Sequence, residues 1–162
     1  MKRGRAFAIA VVVVLLAVGT GFGTWLLVRH PGPRWPEISA YTNGHLTRVG
    51  PYRYCKVLNL DDCYTPETIG ELRASERYPI QLSVSEAISR APWRLLVTYE
   101  DPRDITESLF RPKTRLAVTI PTVDPHRGKV TGLVVQLLTL VGTPDGEVIE
   151  YPHAEWSVRL AY

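Results

Sequence analysis

An enzyme must bring an acid, a base, a nucleophile or a metal to one place, so the histidines and carboxylates of this 162-residue sequence come first. There are four histidines: His30, His45, His126 and His153. His30 closes an apolar run and His45 follows an Asn-Gly pair. That leaves Asp124-Pro125-His126, and His153 with Glu155, as fragments in which a carboxylate could orient an imidazole. Alternation along a strand would put His153 and Glu155 on one face. Neither fragment comes with a Gly-x-Ser-x-Gly elbow, a His-Glu-x-x-His helix or a phosphate-cradling glycine loop. Exposed histidines near turns are ordinary, so the expectation is a protein that is not an enzyme, with no catalytic residue, no cofactor and no metal.

Two further patterns could hold ions. Glu100, Asp101, Asp104 and Glu107 supply oxygens of the kind calcium takes, but Arg103 and Pro102 interrupt them and EF-hand spacing is absent, so a solvated loop is expected. Cys55 and Cys63 enclose seven residues. Structural zinc usually needs four ligands, and no second cysteine pair or His-x₃₋₅-His accompanies these two. A disulfide is the expected state, worth about 2.5 kcal/mol for so short a loop in the chain-entropy model.

The basic balance is misleading. The chain has 19 basic and 16 acidic residues, a net charge of +3, yet Lys2, Arg3, Arg5 and Arg29 flank the N-terminal apolar stretch. Without those four, 15 basic residues face 16 acidic ones from Pro31 onward. The remaining bases, among them Arg73, Arg90, Arg111 and Arg127, are scattered among acids. Nucleic acid binding requires a contiguous electropositive surface, and none is expected.

The elements that carry these residues divide in two. Ala6 to Val28 is 23 residues without an ionisable side chain. As a helix it would reach roughly 34 Å, against roughly 30 Å for the hydrocarbon core of a bilayer. Gly19, Gly21 and Gly23 are tolerated in lipid, where the backbone has no partner but itself. The run exceeds the usual length of a signal-peptide core and continues beyond its small residues, which favours a retained anchor over a cleaved leader. Lys2, Arg3 and Arg5 outweigh Arg29 and Arg34, giving a cytoplasmic N-terminus and an extracytoplasmic C-terminal part, where a disulfide persists. The expected organisation is a cytoplasmic stub over 1–5, a transmembrane helix over 6–28 that contacts the lipid bilayer, a proline-rich stalk over 29–36 and a folded domain over 37–162.

Within that domain the apolar period is two. Strands are expected at Glu37–Tyr41 and His45–Val49 around Asn43-Gly44, which is the strongest hairpin signal in the chain. Others are expected at Ile80–Val84, Trp93–Tyr99, Leu116–Ile120, Val130–Val141 and Trp156–Leu160. A single helical turn is expected somewhere in Glu67–Ser75. Seven or so short alternating strands imply an all-β, antiparallel immunoglobulin-like β-sandwich. Trp93, Tyr99 and Trp156 are its expected core aromatics.

An ordered set of short motifs runs through the chain: Val49-Gly50-Pro51-Tyr52-Arg53-Tyr54-Cys55, Cys63, Pro79-Ile80-Gln81-Leu82-Ser83-Val84, Ala91-Pro92-Trp93, Tyr99 and Trp156-Ser157-Val158-Arg159. In this order, over about residues 36–160, the sequence resembles the uncharacterised actinobacterial envelope family known as domain of unknown function 2771. The resemblance implies an exported, membrane-tethered domain of immunoglobulin-like type, and no reaction. The functional expectation is a noncatalytic, membrane-anchored binding or assembly module with an unidentified envelope protein partner, as in an accessory subunit of a membrane complex. The alternative is a lipid or glycan carrier with an apolar cleft in the sandwich.

Overall fold

The computed structural model describes residues 2–29 and 35–162, with side chains for 11–25 and from Trp35 onward. His30 and most of the expected stalk lie outside the described residues. The chain divides into two units, Met1–Arg34 and Trp35–Tyr162.

The first unit is helix α1, Lys2–Arg29. Its two threonines spend their hydroxyls on the helix itself: Thr20 Oγ1 donates to the Leu16 carbonyl and Thr24 Oγ1 to the Thr20 carbonyl, both at 2.8 Å. Each polar side chain is thereby satisfied within an otherwise aliphatic run. Val12–Leu16, Val18, Phe22 and Trp25 are exposed. Among the described residues, no helix is long and apolar enough to cross a membrane. The described side chains of α1, 11–25, span about 22 Å at 1.5 Å per residue.

The second unit contains twelve strands and one short helix. In chain order these are β1 (Ile38–Thr42), β2 (His45–Val49), β3 (Arg53–Lys56), β4 (Asn59–Tyr64), β5 (Ile69–Arg73), β6 (Ile80–Val84), α2 (Glu86–Ser89), β7 (Trp93–Tyr99), β8 (Ile105–Phe110), β9 (Ala117–Ile120), β10 (Val123–Asp124), β11 (Gly128–Gly142) and β12 (Val148–Ala161). The smaller sheet has the order β2-β1-β6-β9. The larger runs β4-β3-β12-β11-β7-β8, with β5 also beside β12 and β10 beside β11.

Local chemistry sets several of these elements. Asn43 and Gly44 take φ of 44° and 80°, the pair of positive values a type I′ hairpin demands, and Thr42 faces His45 across the turn. Along β7, buried Trp93, Leu95, Val97 and Tyr99 alternate with half-buried Arg94, Leu96 and Thr98. The inward residues of both sheets, such as Ile38 and Leu82 from one and Leu133 and Trp156 from the other, form one hydrophobic cluster, so the sheets pack on each other. Trp93 and Trp156 are both fully buried there, and Tyr99 is buried with its hydroxyl accepting from Thr106 Oγ1 at 3.2 Å.

Three expectations are corrected. Glu67–Ser75 contains no helical turn. Residues 69–73 form β5, paired in parallel with β12 from Ser157↔Ile69 to Ala161↔Arg73. Leu72 is thereby taken into the core, and the backbone bonds a helix would have made are supplied by β12. The Glu100–Glu107 loop is shorter than expected. After a turn closed by the Asp104 N–H on the Asp101 carbonyl at 2.9 Å, Ile105 begins β8, which returns along β7. Leu116 is exposed and precedes β9, its carbonyl accepting the Val84 N–H at 2.9 Å.

Gly70 marks a close approach between β5 and β2. A methyl group there would fall on Val49 Cγ2, and Val49 is buried and β-branched, so it has little room to yield. Gly70→Ala is expected to lower stability by about 1–3 kcal/mol. A urea titration of Gly70→Ala, alone and combined with Val49→Ala, checks this. The second substitution should return part of the loss, and full additivity would remove the steric explanation.

Candidate interaction surface

The carboxylate and histidine fragments are put to structural use. The Asp124 carboxylate accepts the backbone N–H groups of His126 and Arg127 at 2.8 and 3.0 Å. These bonds stabilise the ionised form, the His126 N–H most strongly, and hold the Asp124 carboxyl below the usual carboxylate range. His45 is the exposed first residue of β2. His153 is buried, with Nδ1 3.1 Å from the Cys55 carbonyl and its ring edge-on to Tyr54. A carbonyl only accepts, so Nδ1 is the protonated nitrogen of this contact. Glu155 turns to another partner, Gln136 Nε2, at 3.0 Å.

The reason lies in the ladder. Pairing passes from Leu137↔Ala154 to Leu138↔Pro152, leaving His153 as the extra residue of a β-bulge. The bulge interrupts the alternation that places His153 and Glu155 on one face. The acidic cluster is likewise divided among cations: Asp101 with Arg103 at 2.7 Å, and Glu107 with Arg94 at 2.9 Å. Arg103 holds the Asp101 carboxyl low. Among the described residues, no three His, Cys, Asp or Glu side chains are grouped to hold a metal ion.

Cys55 and Cys63 form a disulfide between directly paired residues of β3 and β4, with Cα atoms 4.0 Å apart. Lys56 and Asp62 pair beside it, and Trp35 stacks on Tyr64 with ring centroids 4.9 Å apart. Tyr54 meets Trp156 edge-on, and the Trp156 indole N–H donates to the Pro36 carbonyl at 2.7 Å. The start of the folded unit is thus fastened to its last strand. Replacing both cysteines with serine is expected to cost about 2.5 kcal/mol, the entropy of so short a loop. Urea titrations of oxidised wild type and the double variant check this value, and equal midpoints would contradict it.

The open grooves on the surface of the strand unit include two that matter here. One, of about 680 Å³, is lined by Ala74–Tyr78 and Tyr162. Beside it Lys129 pairs with Glu76 at 2.6 Å and lies over the Tyr162 ring. The Tyr162 hydroxyl donates to the Val130 carbonyl at 2.8 Å. Burial pushes this phenol up to about 12, with Glu76 and Glu100 adding to the effect. The second groove, of about 500 Å³, is lined by Pro92, Leu138, Thr139, Leu140 and Glu150.

The second groove adjoins the most unusual element of the fold. The sequence predicts one long apolar strand over Val130–Val141. It has two regimes: β7 accompanies β11 only as far as Leu137↔Trp93, and β3 meets β12 only at Ala154 and Glu155. Beyond the bulge, β11 and β12 continue from Leu138↔Pro152 to Gly142↔Val148 as a two-stranded arm. Leu140 and Val148 on this arm are 69% and 66% exposed, and Ile149 and Tyr151 are exposed as well. Isolated two-stranded ribbons are marginal in water, and clustered exposed apolar side chains mark interaction sites.

Two sheets around one core, a cystine hairpin and a two-stranded arm with exposed apolar side chains describe a mostly antiparallel β-sheet module. The sequence matches the family described as "Protein of unknown function (DUF2771)" over residues 31–161, and the chain belongs to that family. It is 66% identical over its full length, and over the relative's full length, to an uncharacterized protein of Mycobacterium bovis. The same values hold for uncharacterized proteins of two Mycobacterium tuberculosis strains. No solved structure matches significantly.

Proposed function

We propose that this chain is a noncatalytic binding or assembly module, held at the cell membrane by residues 6–28 and presenting its strand unit outside the cytoplasm to another envelope protein. The observation that supports this most is the exposed apolar arm of β11 and β12, because burying it gives an obvious gain on association. The 23-residue stretch without an ionisable group supports the anchor, and the disulfide suits an extracytoplasmic setting. We read the paired sheets as an immunoglobulin-like sandwich, with the difference that its cystine lies within one hairpin, where antibody domains bridge their two sheets. Filling of the inter-sheet space by Trp93 and Trp156 favours binding at the surface over a lipid or glycan carrier.

The test is crosslinking in living cells followed by mass spectrometry of the purified full-length chain. The reading expects one envelope protein to be joined reproducibly to the strand unit. Crosslinks no different from those of an unrelated anchored domain would refute it.

A further inference from the structure

Leu138 N–H donates to the Pro92 carbonyl at 3.0 Å, just where β7 stops. On an antiparallel strand every second residue turns its backbone groups to the same side, so Leu140 and Gly142 direct theirs into the lane that β7 vacates. The Thr143 N–H donates to the Glu147 carbonyl at 2.8 Å, so by alternation Leu140↔Glu150 and Gly142↔Val148 are non-hydrogen-bonded pairs of the ladder. Among the described residues no strand occupies this lane, and the 500 Å³ groove between Pro92 and Leu140 opens onto it.

Charge identifies the kind of chain that fits. From Val130 to Val158 there is no Lys or Arg, while Asp145, Glu147 and Glu150 lie on or at the tip of the arm. None of the three enters an ion pair among the described residues. The arm of a second copy would set three carboxylates against three, and anionic headgroups would be repelled in the same way.

Resting on the module reading above, we propose that the β11 edge from Leu138 to Gly142 is a docking lane for an extended basic segment of a partner protein. That segment adds as a strand where β7 ends. Its main chain bonds to Leu140 and Gly142, its apolar side chains cover Leu140 and the groove, and its Lys or Arg side chains meet Glu150 and the tip carboxylates. Main-chain bonds give such strand addition its affinity and alternate side chains give it specificity.

The experiment uses the full chain in phosphatidylcholine nanodiscs and two labelled peptides, Lys-Val-Thr-Val-Lys-Val-Thr and the same sequence with Glu for Lys. The lysine peptide should bind at least tenfold more tightly, slow hydrogen exchange at Leu140 and Gly142, and weaken with added salt. Leu140→Pro removes an outward N–H without touching the inner ladder and should weaken binding at least tenfold. Should that variant misfold, Glu147→Lys with Glu150→Lys is the second arm and should reverse the preference between peptides. Equal binding of the two peptides, no binding, or wild-type binding by both variants overturns the proposal. So does self-association through Leu140. Failure here alongside a partner crosslinked elsewhere on the strand unit removes the lane alone, whereas no partner on any surface removes the module reading too.

Discussion

Replacing Trp156 with alanine is expected to cost the strand unit about 3–5 kcal/mol, a large part of the roughly 5–15 kcal/mol by which a folded domain is stable. The indole is fully buried in the cluster shared by both sheets, so its removal leaves a cavity between layers that cannot close without moving β12. It also frees the Pro36 carbonyl, whose partner is the indole N–H. Trp156→Phe separates the two effects. It keeps most of the apolar volume and forfeits the bond, so it should lose about 1–3 kcal/mol. Urea titrations of the full chain in neutral micelles give both values. An alanine variant within 1 kcal/mol of wild type would mean the sheets are not held together through this side chain.

The second large effect concerns α1. Introducing Leu16→Lys and Val18→Lys puts two charges near the middle of the apolar stretch, where insertion scales assign each about 2.5–3.5 kcal/mol. The pair should move the chain from the carbonate-resistant membrane fraction to the supernatant or to aggregates, while Leu16→Val leaves it in place. The side chains at both positions are exposed, so the substitutions remove no packing contact that could account for the change. A doubly charged variant that still resisted carbonate extraction would contradict anchoring by this helix.

What could be read from the sequence divides along the line between local and nonlocal causes. The Asn43-Gly44 hairpin was legible because left-handed backbone at both turn residues is a property of those residues. The strand from Trp93 to Tyr99 was legible because strict alternation matches a half-buried pleat. The Cys55–Cys63 disulfide was legible because the chain has just these two cysteines and no further ligands spaced for a zinc site. β5 was not legible: Glu71, Leu72 and Arg73 suit a helix locally, and only the distant β12 makes them a strand. β8 was hidden because its exposed apolar residues, Ile105 and Leu109, are not the face that packs. The bulge at His153 is set by how β11 and β12 align across their whole length, so the proposed His153/Glu155 pairing had no means of anticipating it. The arm was missed for a related reason. Its apolar sequence matches that of the buried part of β11, and the difference is the absence of neighbouring strands. The one available signal was the lack of any base from Val130 to Val158.

Everything proposed for the arm and the cystine depends on where the strand unit resides. Two reporters fused after Tyr162 decide this, alkaline phosphatase, which is active only after export, and green fluorescent protein, which fluoresces when retained in the cytoplasm. The account predicts phosphatase activity in the membrane fraction and a dark fluorescent fusion. A bright fusion with inactive phosphatase would place the domain in the cytoplasm and contradict it.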